Sequence, residues 1–171
     1  MNDSEKLHVS WNKVTEMSIQ LGKDILLRGD GKHSYTRVVI LMRGGTHIGN
    51  IVSRILGMKT EQVLAMGISK YDSSQNERAE GAMKLGQIPD AKLVKGQRIL
   101  LVDDLVRTGD TAAHAEKILK DLGAESVDFA VLFDKSDDYD AKRLPDFYVQ
   151  KTSAWVEFAW QELDDIYALS A

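Results

Sequence analysis

An α/β fold built on a largely parallel sheet is what this sequence predicts, and two observations carry the expectation. Three short, continuous apolar runs, at residues 38–41, 99–102 and 129–133, have the length and composition of strands covered on both faces, as strands of a parallel sheet are. Segments with apolar residues spaced three and four apart alternate with these runs, as crossover helices do.

The first helical segment is expected over residues 12–27. Val14, Met17, Leu21 and Ile25 share one face, and Ser10 stands where an N-cap belongs. The apolar run 38–41 follows. A second helix over 46–56 carries Ile48, Ile51, Val52 and Ile55 on one side. Residues 63–68 and 147–149 are two further strand candidates. The run 99–102 leads to a third helix over 111–122, with Ala112, Ala115, Ile118, Leu119 and Leu122 on one face. Gly123 is placed to end it as a left-handed cap. The stretch Gly29-Asp30-Gly31-Lys32 reads as a turn. Pro89 and Pro145 are the only prolines and neither marks a linker, so the 171 residues are expected to form a single domain.

Composition removes several functional classes. There is no cysteine, which excludes disulfides, thiolate metal sites and cysteine nucleophiles. Acidic and basic residues are interleaved with a formal charge of −4, unlike the basic face of a nucleic-acid-binding protein. No apolar run approaches the roughly 18 residues of a membrane span. The opening MNDSEKLHVSWNK lacks the apolar stretch of a secretory signal. The expectation is a cytoplasmic protein with no nucleic-acid partner and no integral membrane association.

In open α/β sheets ligands bind beyond the carboxyl ends of the strands. The loop after Val102 carries Asp103 and Asp104, then Leu105, Val106 and Arg107, then Thr108-Gly109-Asp110-Thr111 at the start of a helix. A helix N-terminus offers unpaired N–H groups and a partial positive charge, which suit a phosphate. Gly109 allows close backbone approach, and Thr108 and Thr111 add hydroxyls. The acidic pair can accept hydrogen bonds from vicinal ribose hydroxyls or help hold Mg²⁺. A phosphate loop of the Walker type is absent, since no G-x-x-x-x-G-K-[ST] occurs. The loop after Leu41 contains Arg43-Gly44-Gly45, a second arrangement of glycine N–H groups beside a fixed cation.

On these residues the chain resembles the type I phosphoribosyltransferases, which bind 5-phosphoribosyl 1-pyrophosphate (PRPP): VDDLVRTGDTA is similar to their signature. The resemblance implies a fold with a small C-terminal hood over a mostly parallel sheet. It implies that Thr108, Gly109, Asp110 and Thr111 hold the 5′-phosphate. Asp103 and Asp104 would serve the ribose hydroxyls and Mg²⁺, and Arg43, Gly44 and Gly45 the pyrophosphate, in a loop that contains a cis peptide in many members.

The spacing of these motifs with Lys135 and Trp155-Val156-Glu157 is similar to the bacterial xanthine-guanine phosphoribosyltransferases, from about Val9 to Trp160. That likeness implies that Lys135 meets the purine 6-oxo group and that Trp155 stacks on the base. Val156 and Glu157 would address its 2-position. A mobile loop is expected over about residues 71–84 and a base-recognition hood over about 134–160. The partners implied are PRPP and a nucleobase, and the assembly a homodimer or homotetramer. Phe158 and Trp160 read as an apolar segment docked on the core.

Arg107 departs from the pattern. In typical 6-oxopurine enzymes this catalytic position holds an aspartate near the purine N7, and arginine, always protonated, cannot accept a proton. The implied function is PRPP-dependent transfer to guanine, xanthine or hypoxanthine. Transfer to a pyrimidine or modified base, and a nucleotide-sensing regulator that kept only the fold, are the alternatives.

Overall fold

A computed structural model describes residues 6–28, 35–70 and 83–163. The expected turn at residues 29–32 and most of the expected mobile loop, 71–82, lie outside the described residues. The main elements run β1 (Lys6–Val9), α1 (Trp11–Arg28), β2 (Arg37–Met42), α2 (Thr46–Ile55), β3 (Val63–Lys70), β4 (Met83–Leu85) and α3 (Ala91–Val94). They continue with β5 (Arg98–Val102), β6 (Leu105–Val106), α4 (Asp110–Asp121), β7 (Ser126–Asp134), β8 (Phe147–Lys151) and β9 (Trp155–Phe158).

All three apolar runs are central strands, and both further candidates are strands of the same sheet. Its order is β4-β3-β2-β5-β7, with β8 beyond β7 and β6 paired to β7 along the edge that β5 has just left. Every pairing is parallel except β3 with β4. Alternation sends successive residues to opposite faces. Val38, Ile40, Leu100, Val102, Ala130 and Leu132 pack in the core layer with Val14, Met17, Leu21 and Ile25 of α1. Val39, Leu41, Ile99, Leu101, Phe129 and Val131 pack in the layer with Ala112, Ala115 and Leu119 of α4. Burial on both faces is why these strands read as unbroken apolar runs.

The helix ends follow their local chemistry. The Lys13 N–H donates to Ser10 Oγ at 3.3 Å and the Val14 N–H to the Ser10 carbonyl at 2.9 Å, so Ser10 caps α1 as expected. After α4, Gly123 takes φ +91°, and the Ala124 and Gly123 N–H groups donate to the carbonyls of Leu119 and Lys120, closing a Schellman turn.

Two features differ from the expectation. The strand entering the acidic pair does not end there: β6 resumes beside β7 after a two-residue excursion, so Asp103 and Asp104 form a bulge in a continuing edge. Residues 134–160 also divide between two sheets. β8 belongs to the main sheet, and the separate two-stranded sheet pairs β9 with β1 from the other end of the chain, Lys6 opposite Trp155 and His8 opposite Glu157. Within β9 only Val156 and Phe158 are buried. Trp155 and Glu157 point away from the core. No helix among the described residues is long and apolar enough to cross a membrane.

Candidate active site

The site is built from loops at the carboxyl ends of β2, β5, β6 and β7. After β2 the Met42–Arg43 peptide is cis. The Gly45 N–H donates to the Leu41 carbonyl at 3.0 Å, and Thr46 returns both its N–H and its Oγ1 to the Arg43 carbonyl. This tight turn opens α2 with no side chain capping its first N–H groups. The glycines are required by space. A Cβ on Gly45 would overlap the Val102 carbonyl oxygen and come within 2.8 Å of the Leu41 carbonyl oxygen. One on Gly44 would overlap the Asp104 carboxylate, 2.6 Å from its carbon. The Arg-Gly-Gly loop and the acidic pair, 60 residues apart in sequence, are therefore in van der Waals contact.

Asp103 and Asp104 are partly buried. Asp103 Oδ1 accepts the Asp104 N–H at 2.9 Å, and Asp104 Oδ1 accepts the Leu105 N–H at 2.7 Å. Burial, and then the neighbouring Asp104 carboxylate, push the Asp103 carboxyl well above the ordinary aspartate range. Burial raises Asp104 to about 6, against the pull of the Leu105 N–H. The pair is thus short of positive charge, which is the chemistry of a cation site. Among the described residues no cluster of three or more histidine, aspartate or glutamate side chains could hold a metal alone. Two carboxylates fit an ion such as Mg²⁺, which keeps several waters and takes the rest of its shell from a substrate.

After β6, Gly109 adopts φ +66° and leads into α4, again with no side-chain cap. Asp103, Arg107, Thr108, Gly109 and Thr111 line one cavity of about 240 Å³. Arg43, Gly44, His47, Asp104 and Trp160 line a second of about 540 Å³. The acidic pair straddles the two, Asp103 facing one and Asp104 the other. Arg107 is exposed, its guanidinium carbon 5.7 Å from the centre of the Tyr139 ring.

The residues expected to bind the base are arranged differently. Lys135 follows β7, is buried, and donates through Nζ to the carbonyls of Ser153 and Ala154, immediately before Trp155. It therefore ties the hood to the sheet. Trp155 is about half exposed, 48%. The Glu157 carboxylate pairs with Lys6 Nζ at 2.7 Å and His8 Nδ1 at 3.0 Å, both on β1. Trp155 and Glu157 line neither of the first two cavities; with His8 and Gln161 they border a third, of about 420 Å³. Phe158 is buried as expected, stacked on Trp160 at 4.3 Å, while Trp160 stacks on His47 at 5.6 Å.

Sequence reasoning missed His47 and Trp160 as lining residues, and also Lys142 and Arg143. His47 lies two residues beyond Gly45, in the first turn of α2, a position that could have drawn attention. Lys142 and Arg143 lie in an irregular stretch with no period, and the partners Asp110 and Glu116 stand about 30 residues earlier, which leaves no local signal.

The carboxyl edge of the parallel sheet thus holds two glycine-bearing, uncapped helix starts around a carboxylate pair, in an α/β protein. The chain belongs to the phosphoribosyl transferase domain family, whose profile matches residues 12–166. A xanthine-guanine phosphoribosyltransferase from Cereibacter sphaeroides is 28% identical over 156 residues, 90% of this chain and 85% of that protein. The Helicobacter pylori xanthine-guanine-hypoxanthine phosphoribosyltransferase superposes with a TM-score of 0.76 at 24% identity, covering 96% of this chain and 99% of that one. A purine phosphoribosyltransferase from Pyrococcus horikoshii gives 0.71 at 22%, covering 91% and 93%. The two structural likenesses establish the type I phosphoribosyltransferase fold.

Proposed function

We propose that this protein transfers the 5-phosphoribosyl group of PRPP to a purine, a 6-oxopurine such as guanine, xanthine or hypoxanthine, releasing pyrophosphate and the nucleoside 5′-monophosphate. The observation that carries the reading is the contact of Gly44 with the Asp104 carboxylate, which joins the Arg-Gly-Gly loop to the acidic pair. A substrate with a phosphate at one end, a ribose in the middle and a pyrophosphate at C1 matches that sequence of groups. The family and the named purine enzymes among its relatives support it.

In this reading the N–H groups of Gly109, Asp110 and Thr111, with the Thr111 hydroxyl, bind the 5′-phosphate, and the Thr108 hydroxyl turns from the Asp110 carboxylate to join them. Asp103 and Asp104 accept from the ribose hydroxyls. Arg43 and the Gly44 N–H take the pyrophosphate, at a turn that Gly45 closes through its bond to the Leu41 carbonyl. The bond from C1 to the pyrophosphate oxygen breaks as a base nitrogen bonds to C1, and the protein acts by positioning and by stabilising the departing charge. Mg²⁺, held through Asp103 and Asp104, would neutralise that charge. Trp155 offers a face for the heterocycle. Lys135, which already donates to two carbonyls, would give its remaining ammonium hydrogen to an exocyclic oxygen, favouring oxo over amino substituents. Arg107 accepts no proton, so the base reaches C1 with its proton already lost or released to water. A homodimer or homotetramer in the cytoplasm belongs to the same proposal.

The test is incubation with PRPP, Mg²⁺ and a panel of purines and pyrimidines, with release of pyrophosphate as the readout. Release with guanine, xanthine or hypoxanthine is expected; none with any oxopurine would overturn the assignment. Arg107, at a position where aspartate is usual, favours a second reading: a nucleotide-binding regulator without turnover. Tight binding of PRPP or a nucleotide with no product would support it.

A further inference from the structure

We infer that Lys142 is a positioning residue for the phosphate end of the site, cancelling the charge of Asp110 so that the loop from Thr108 to Thr111 accepts a phosphate monoester. This rests on the reading of that loop given above. The loop presents a problem in its own sequence. Asp110 is the first residue of α4, where its carboxylate is attracted to the same positive helix end that a phosphate would use. An acid there competes with the ligand and repels it.

The structure answers the charge from outside the motif. Asp110 Oδ1 lies 2.8 Å from Lys142 Nζ, and Oδ2 accepts from Thr108 Oγ1 at 2.8 Å. The lysine is delivered by an anchored backbone. The Lys142 N–H donates to the Thr108 carbonyl at 2.9 Å. The backbone of Arg143 presses on Gly109, where a Cβ would stand 2.6 Å from the Arg143 nitrogen. The Arg143 guanidinium is held by Glu116 of α4 at 2.6 Å and Asp146 at 2.5 Å. Residues 142–146 thus brace the phosphate loop from both its backbone and its charge. The Lys142 side chain is 72% exposed, and exposed ion pairs contribute little to folding. Its effect therefore falls on the ligand. Asp110 also strengthens the lysine's hold on its proton, so the compensating charge persists across ordinary pH.

The test compares Lys142→Gln, Lys142→Arg, Asp110→Asn and the double variant Asp110→Asn/Lys142→Gln. The readouts are calorimetric affinity for ribose 5-phosphate, KM for PRPP, KM for the base, and Tm. Lys142→Gln is expected to weaken ribose 5-phosphate binding and raise the PRPP KM about tenfold, with base KM and Tm unchanged, and the gap narrows with added salt. Lys142→Arg retains affinity. The double variant returns to within about threefold of wild type, since both charges are gone. Unchanged ribose 5-phosphate affinity in Lys142→Gln would overturn the inference, as would a double variant no better than Lys142→Gln. Failure of the transfer reading is separable: wild type would then bind ribose 5-phosphate but release no pyrophosphate with any base, and the affinity comparison would still decide the role of Lys142. A wild type that binds neither ribose 5-phosphate nor inorganic phosphate would overturn both.

Discussion

The two glycine loops have the same plan, a buried parallel strand, a short turn and a helix with no side-chain cap, yet they are held in opposite ways. The Arg-Gly-Gly loop is fixed from within. Its glycines have ordinary backbone angles at the helix entrance, Gly45 at φ −68°, and are needed because the main chain after β5 and the Asp104 carboxylate lie too close for a Cβ. The Thr108–Thr111 loop is fixed from without. Gly109 sits at φ +66°, and residues 142–146, from beyond β7, close over it through a backbone hydrogen bond, an ion pair and direct packing. The first loop is tied to the acidic pair, and so to the transfer chemistry proposed above. The second is tied to a distant segment and so to the integrity of the fold around it.

Glycine substitutions sharpen this contrast, from the largest expected effect on folding to the smallest. Gly109→Ala combines a left-handed backbone angle with a clash against the Arg143 backbone, neither of which can relax alone. A loss of roughly 2–4 kcal/mol in denaturant unfolding is expected. Gly45→Ala meets two carbonyl oxygens but keeps an allowed backbone, and should lose roughly 1–3 kcal/mol. Gly44→Ala meets a carboxylate that can swing away. Its stability should fall by less than about 1 kcal/mol, while kcat/KM for PRPP drops about 100-fold as Asp104 is displaced. Equal stability losses at all three positions would dissolve the distinction between the loops.

The acidic pair adds a pH signature. Its carboxyls hold protons in the folded state at pH values where the unfolded chain has released them, so the native state binds more protons and stability falls as pH rises from about 4 to about 6. Thermal melts of wild type and Asp103→Asn/Asp104→Asn without divalent cations check this. The Tm difference should grow in favour of the variant across that window, and a flat difference would show that the pair carries no such strain. At the base end, Trp155→Ala should raise the base KM about tenfold through lost stacking and leave the PRPP KM unchanged, measured in the same steady-state assay.

How much of this was legible beforehand depended on how far apart the cooperating residues lie. Among the described residues, three of the four α-helices follow from their apolar spacing and five of the seven main-sheet strands from short apolar runs, with Ser10 and Gly123 marking two helix ends. The acidic excursion and both glycine loops were visible as motifs because each must be built from consecutive residues. The continuation of the edge strand at Leu105 and Val106 was not, because two residues carry no period. Nor was the pairing of β9 visible, because its partner is a strand about 150 residues away, and nothing in either segment names the other.

The same division runs through the site. By itself the sequence determined an α/β fold, the order of its central elements, and a carboxyl edge bearing an acidic pair between two glycine loops, since these depend on local chemistry and chain order. Only the tertiary structure decided what each charged group meets. Glu157 pairs with Lys6 and His8, Lys135 reaches the carbonyls before Trp155, and Lys142 offsets Asp110. Such pairings are fixed by how far the packed core brings remote loops together, a few ångströms that no spacing along the chain encodes.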